Sequence, residues 1–309
     1  MTQILRALLL AASARQVFAS CAYGTFLQPR AEEGGEVKVG TFGYFGEKGP
    51  LNWAALDAAN SACATGTRQS PINMVAGSFN MVPASELTIE LPTFPEGTEF
   101  ENLGTTIEVI AKGGKLAFAG KEFELQQFHF HLPSEHLDNG TSQAMEMHMV
   151  WQSANAEIAV IGVYIDVVKE GTPVARRQSP RERRQVKPAG GPTGVLEAIF
   201  SKVEEIKTPG TKTKTPPLAL DEILTIIQSG AFQGYSGSLT TPPCSEGVNW
   251  HVATAKMAIM PSTFMRVRDI IGFNSRYAQN APGLQNILQV ASVATANAAA
   301  AAPAAAPAA

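Results

Sequence analysis

Apolar and polar residues alternate with a period of two through much of the 309-residue chain. Seven runs carry the pattern. They are "ELTIELP" (86–92), "TTIEVIA" (105–111), "KLAFAG" (115–120), "EFELQQFHFH" (122–131), "AMEMHMVWQ" (144–152), "EIAVIGVYID" (157–166) and "VNWHVATAKMAI" (248–259). Such alternation, rich in β-branched and aromatic residues, predicts half-buried strands, and the Gly, Pro and Asn clusters between the runs predict turns. The expected sheet is mainly antiparallel. Helical spacing is scarcer. "GVLEAIFSKVEEI" (194–206) sets Val195, Ile199 and Val203 near one face, and "LDEILTIIQS" (220–229) is a shorter candidate. The class predicted is mainly β (α+β), with no internal repeat.

Composition narrows the picture. Apolar residues make up 45% and charged residues 17%, an ordinary globular balance. A formal charge of -3 supplies no field to draw in nucleic acid or an anionic membrane. Beyond the N-terminus no apolar run is long enough to span a bilayer. Nothing in the pattern sets an oligomeric state.

The ends and one internal stretch depart from the pattern. In "MTQILRALLLAASARQVFASCAYG" (1–24), Arg6, the apolar Ala7–Ala14 run and the small residues near Ala19–Ala22 read as a signal peptide over 1–22. The alternatives are a plain N-terminal extension and, through "FASC", a lipoprotein box. An extension over 23–40 would follow. Residues 169–192 carry seven basic and two acidic residues and hardly any apolar ones, which predicts a solvated insertion. Its dibasic pairs Arg176-Arg177 and Arg183-Arg184 are candidate processing sites. The tail over 293–309 is Ala/Pro low-complexity sequence, expected to be disordered. With Cys21 inside the signal, Cys63 and Cys244 remain, read either as one disulfide closing a very long loop or as two unrelated buried thiols. Asn139 heads the glycosylation triplet "NGT" in an expected hairpin turn.

The chemistry concentrates in "QFHFHLPSEH" (127–136), which holds three of the five histidines. On a strand, Gln127, His129 and His131 point to one face and Phe128 and Phe130 to the other. The next run puts Glu146, His148 and Val150 on one face. A connection folding it back antiparallel brings His148 to complete a trio. Three neutral imidazoles suit zinc, with a fourth position left for water. Gln127 and Glu146 are placed to accept the second N–H of their neighbours. The bland reading, a buried polar network, needs a partner for every ring nitrogen. His136 is expected to make a buried hydrogen bond, and His251 to face away from Trp250. In "YSGSLTTPPCSEGVNW" (235–250), Thr240 could gate the metal-bound solvent, its proton passing to Glu135.

In order, "GYFGEKGPLNW" (43–53), "RQSPIN" (68–73), "QFHFHLPSEH", "EMHMVW" (146–151), "AVIGV" (159–163), "GSLTTPPCSEGVNW" (237–250) and "FNSRYAQ" (273–279) resemble the α-class carbonic anhydrases. The resemblance covers roughly 41–290. It implies one catalytic domain over 41–292, around a central, mostly antiparallel twisted sheet of about ten strands with a few peripheral helices. It implies Zn2+ on His129, His131 and His148, and reversible hydration of carbon dioxide to bicarbonate and a proton. Thr240 and Glu135 become the gate, with Gln127, Glu146 and His136 behind the ligands. Val150, Val160, Leu239 and Trp250 become the apolar wall for substrate. Thr241, Tyr44 and Asn102 match positions of the water network. Cys63 and Cys244 match the disulfide of secreted members, in keeping with a secreted or periplasmic protein. One departure stands out. The proton-shuttle position holds Thr105, which cannot carry a proton near neutral pH, so proton transfer is expected to rely on buffer. Two other readings share the scaffold: a non-catalytic binding protein, and a zinc esterase.

Overall fold

A computed structural model describes residues 37–168 and 191–292. The signal peptide, most of the 23–40 extension, nearly all of the basic insertion and the Ala/Pro tail lie outside the described residues.

Ten strands form one sheet. In chain order they are β1 (Asn80–Pro83), β2 (Thr88–Glu90), β3 (Glu99–Asn102), β4 (Ile107–Phe118), β5 (Lys121–His131), β6 (Met145–Gln152), β7 (Ile158–Val167), β8 (Lys212–Lys214), β9 (Ala231–Ser238) and β10 (Glu246–Ile259). Their spatial order is β8-β3-β4-β5-β6-β7-β10-β9-β1, with β2 added to β4. The β7–β10 pair is parallel, and every other pairing in this sheet is antiparallel. This is the mostly antiparallel ten-stranded architecture expected. No helix among the described residues is long and apolar enough to cross a membrane.

The two faces of the sheet do different work. Phe128 and Phe130 of β5, Met147 and Met149 of β6 and Ile161 and Val163 of β7 are fully buried on the back face. Helices α3 (Gly194–Phe200) and α4 (Asp221–Gln228) add Leu196, Ile199, Phe200, Ile223 and Ile227 to the same core. Before them, α1 (Trp53–Leu56) and α2 (Ala62–Thr65) are single turns, and α5 (Pro261–Ile271) follows β10. The front face carries Val150, Val160, Trp250 and Val252, together with the polar residues of the site.

Several elements differ from the pattern reading for identifiable reasons. The runs at 105–111 and 115–120 are one strand, because β4 continues through Gly113 and Gly114 by shifting register against β5. Both glycines have positive φ (121° and 66°), which side chains rarely adopt. In β5 a shift between Leu125 and Gln127 reverses the alternation, so Phe123 and Leu125 reach the same core as Phe128 and Phe130. The helix expected over 194–206 stops at Phe200 and resumes as a 3₁₀ turn over Val203–Ile206, while Val195, Ile199 and Val203 all stay buried.

Cys63 of α2 is bonded to Cys244, 181 residues away, and both pack against Phe42 and Trp53. The bond ties the loop after Leu239 to the N-terminal helices. Reducing it should lower unfolding stability by about 2–5 kcal/mol. An unchanged urea midpoint with and without reductant would contradict this.

His251 lies on the back face between Phe118 and Phe232, with ring centroids 4.6 and 6.4 Å away, and its Nδ1 has no partner. Burial pushes its pKa down from 6.5 to about 4, against a smaller upward pull from the Asn249 backbone. Above pH 6.5 the ring is neutral in both folded and unfolded chains. Between about 6.5 and 4 only the unfolded chain takes the proton, so stability falls with pH, by up to about 1.4 kcal/mol per unit. His251→Phe should lose this component of the acid sensitivity, read as a smaller drop in urea midpoint from pH 7 to pH 4.5 than in the parent.

Candidate metal centre

The site starts from cross-strand register. β5 and β6 pair so that His129 stands directly opposite His148, and His131 opposite Glu146. Residues opposite each other on antiparallel strands share a face. The β5 alternation then adds His131 to the same side. The ring centroids of the three imidazoles are 4.6–5.5 Å apart. One nitrogen of each ring lies within 4.8 Å of the other two. All three residues are buried.

The second nitrogen of each ring fixes its orientation. Nδ1 of His129 is 2.9 Å from Gln127 Oε1, and Nδ1 of His131 is 2.8 Å from the Asn274 carbonyl. Both partners are acceptors, so each Nδ1 donates and each Nε2 keeps its lone pair. Nε2 of His148 faces Glu146 Oε1 at 3.0 Å, out of line for a straight hydrogen bond, which leaves its Nδ1 for the centre. Nε2 of His131 is buried with no partner. A buried orphan nitrogen in a ring of convergent lone pairs fits a metal ion. Protonation is no alternative: burial, reinforced by the neighbouring imidazoles, holds His129 well below its ordinary value and His131 down at about 3.

Glu146 anchors the layer behind the ligands. Its Oε1 is 2.7 Å from Nδ1 of His136, and its Oε2 accepts from the backbone N–H of Glu135 and His136. Burial pushes this carboxyl up, but His136 and His148 outweigh it and hold it well below the usual range. Gly162, opposite His148, makes room for it: a Cβ there would fall 2.9 Å from Glu146 Oε1. His136 passes the chain on through Nε2 to the Tyr235 hydroxyl (2.6 Å), which meets Ser70 Oγ at 2.8 Å.

Glu135 lies on the other side of the ligands. Its Oε1 accepts from the Arg276 backbone N–H at 2.8 Å and is 3.5 Å from Nδ1 of His131. Burial raises its carboxyl to about 7, against the lowering pull of His148, the Arg276 N–H and the Thr240 hydroxyl. Thr240 and Glu135 are therefore neighbours, although Oε2 closes no hydrogen bond. Arg276 is itself buried, donating to the carbonyls of Ser70 and Cys63.

The imidazoles open onto a cavity walled by Val150, Val160, Leu239 and Trp250, with Thr240, Thr241, Tyr44 and Thr105 also on its surface. Trp250 Nε1 donates to the Ser238 carbonyl, which holds the indole in place. Asn102 stands apart. Its Nδ2 donates to the Ile206 carbonyl and its Oδ1 accepts from Gly104 N–H, both at 2.8 Å, so the amide is spent on backbone and does not fit a place in the water network. Asn139 is exposed in a two-residue turn closed by Asp138 and Thr141, away from the cavity. Phe42 and Thr106 also line the cavity, and Asn274 and Arg276 position His131 and Glu135. The pattern reading assigned these four no role. The latter two lie inside "FNSRYAQ", whereas nothing in the alternation marks Phe42.

This arrangement has known counterparts. The model of the eukaryotic-type carbonic anhydrase family matches residues 48–288. The chain belongs to the α-carbonic anhydrase family. Among carbonic anhydrases of known sequence, that of a Nostoc species is 29% identical over 80% of this chain and 83% of its own length. Alpha carbonic anhydrase 4 of Arabidopsis thaliana is 32% identical over 77% of this chain and 80% of its own. The solved fungal α-carbonic anhydrase of Aspergillus oryzae superposes with a TM-score of 0.72 at 36% identity, covering 81% of this chain and 98% of that one. As a carbonic anhydrase the chain is an enzyme of small molecules, carbon dioxide and bicarbonate.

Glu146→Ala should weaken metal affinity about 10–100-fold by freeing the His148 ring. His148→Ala should abolish stoichiometric binding. Metal analysis after dialysis against a graded chelator distinguishes the two, and equal retention in both variants would remove His148 from the ligand set.

Proposed function

We propose that the chain holds Zn2+ on His129, His131 and His148 and hydrates carbon dioxide by attack of an activated water. The single observation behind this is the set of three buried imidazoles whose remaining nitrogens converge at the foot of an apolar cavity. Bound zinc acidifies a water enough for deprotonation at neutral pH, the established chemistry of carbonic anhydrases.

The residues around it divide the remaining tasks. The Gln127 and Asn274 acceptors keep the His129 and His131 rings turned so that each lone pair faces inward, and Glu146 lies 3.0 Å from Nε2 of His148 behind the third ring. Thr240, with its proton directed towards Glu135, orients the nucleophile and rejects occupants that cannot donate to it. Val150, Val160, Leu239 and Trp250 offer carbon dioxide a surface with little competition from water. This narrow wall suits a very small substrate better than an ester.

Proton exit is the weak step. Thr105 stands on the cavity wall, and among the described residues that wall carries no carboxylate, lysine or histidine besides the three ligands. Turnover should therefore rise with the concentration of a small buffer such as imidazole. Thr105→His should raise kcat about tenfold in weak buffer while changing kcat/KM far less. The new ring must turn into the cavity, since Gly40 packs against the other side of Thr105. Stopped-flow hydration with and without chelator, beside metal analysis, tests the whole reading. A metal-free protein of full activity would end it, and buffer-independent turnover would end the account of the slow step.

The Cys63–Cys244 bond supports an oxidising compartment, in line with a signal peptide over 1–22 and secretion. The exposed Asn139 triplet is then available for glycosylation.

A further inference from the structure

The loop before α1 and the segment after α5 hold large apolar side chains out in solvent. Phe45 is 70% exposed, Leu51 73% and Phe273 43%, and the Phe45 and Phe273 rings lie 5.7 Å apart. Fully open, side chains of this size present roughly 170 Å² each, so the three together leave about 300 Å² of apolar surface in water. That equals the largest patch on many monomers, and such patches mark contacts. Beside them lies a hollow of about 420 Å³ that none of the three imidazoles lines. Pro50, Leu51, Leu137 and Phe273 form its apolar walls. Glu135 and Arg276 lie behind these walls, each only 1% exposed, so the hollow shows an occupant no charge. What fills it has to be apolar.

Area decides how the face is covered. A stable contact between two chains takes about 800 Å² from each partner, around an apolar core. Against a flat partner the three exposed side chains supply less than half of that. The rest lies in the walls of the hollow, which are covered only when a side chain of the partner projects into it. The same face carries such a projection. Phe45 follows Tyr44, a lining residue of the hollow, and precedes the tight 3₁₀ turn Gly46–Lys48. A knob and a hollow side by side on one face are self-complementary under a two-fold axis.

We propose that this face pairs two copies of the chain about a two-fold axis, with Phe45 of each copy seated in the hollow of the other. The ring then packs on Leu51 and Phe273 of its host. Charge at the rim agrees with the pairing. Glu47 and Lys48 are both exposed directly after Phe45. The exchange that swaps the two rings sets Glu47 of each copy against Lys48 of the other, so opposite charges meet twice. None of this depends on the metal or on the catalytic reading.

Sedimentation velocity of the full, metal-loaded chain with its disulfide intact, from about 0.5 to 100 µM, tests the pairing. A reversible dimer with Kd below about 10 µM is expected. Phe45→Glu puts a charge into the apolar hollow and should weaken pairing about 100-fold, while each chain hydrates carbon dioxide at the parental rate. Glu47→Lys should weaken pairing about fivefold. Adding Lys48→Glu to it should restore the parental Kd, because a two-fold contact exchanges both partners. Phe45 and Glu47 are exposed in the single chain, so these variants leave its core intact. A chain still monomeric at about 100 µM would overturn the proposal and leave the face to a different partner. So would a dimer of parental strength in Phe45→Glu, or an assembly of more than two chains. A double variant no tighter than Glu47→Lys alone would overturn the two-fold arrangement.

Discussion

Everything at the centre depends on the register between two antiparallel strands. His129 meets His148 across the β5–β6 ladder, and that single pairing decides which residues reach the front face. A slip of one residue would send the imidazoles into the core and bring Phe128 or Met149 to the cavity. The back face guards against it. Phe128, Phe130, Met147 and Met149 are all fully buried there, and turning any of them outwards would expose a large apolar side chain. Back-face packing thus holds the geometry of the imidazoles, although none of these four side chains lines the cavity.

Register brings the rings together, and burial makes them useful. Low exposure keeps the His129 and His131 imidazoles neutral, while the acceptors at their Nδ1 atoms turn each lone pair inward. Glu146 is the costly part of this arrangement, a carboxylate without solvent. Two backbone N–H groups and the His136 ring compensate, and Gly162 supplies the space. The same loop, 132–136, presents Glu135 to Arg276 from the other side. One short turn therefore supports both Glu146, behind the imidazoles, and the proposed gate residue Glu135.

Legibility in the sequence followed the physics. The long strands of the centre were readable because each has an apolar back face, which β5 and β6 set against polar front positions, whereas β7 is apolar on both faces. The edge strand β1 was not, since Asn80–Pro83 has little burial to impose a pattern. β9 was hidden by its Gly and Ser residues, although its neighbours on both sides bury it. The histidine trio was legible from phase alone, given an antiparallel return. Asn102 illustrates the opposite case. A matching position in a motif does not say where an amide spends its hydrogen bonds, and here two backbone groups claim it. Arg276 escaped notice because its partners, Glu135, Ser70 and Cys63, are each more than 140 residues away in sequence.

On the proposed reading, the two ends of the catalytic cycle fall under different control. On that reading nucleophile formation would be built into β5 and β6, where register, core packing and the buried acceptors reinforce one another. Proton exit would depend on the wall at Thr105, in the turn between β3 and β4, where the chain at Gly40 packs over it. A substitution there leaves the ligand layer intact, because Thr105 contributes only its backbone carbonyl to Asn274, the residue that orients His131. Speed could then drift at this turn while the three converging imidazoles stay fixed by the sheet.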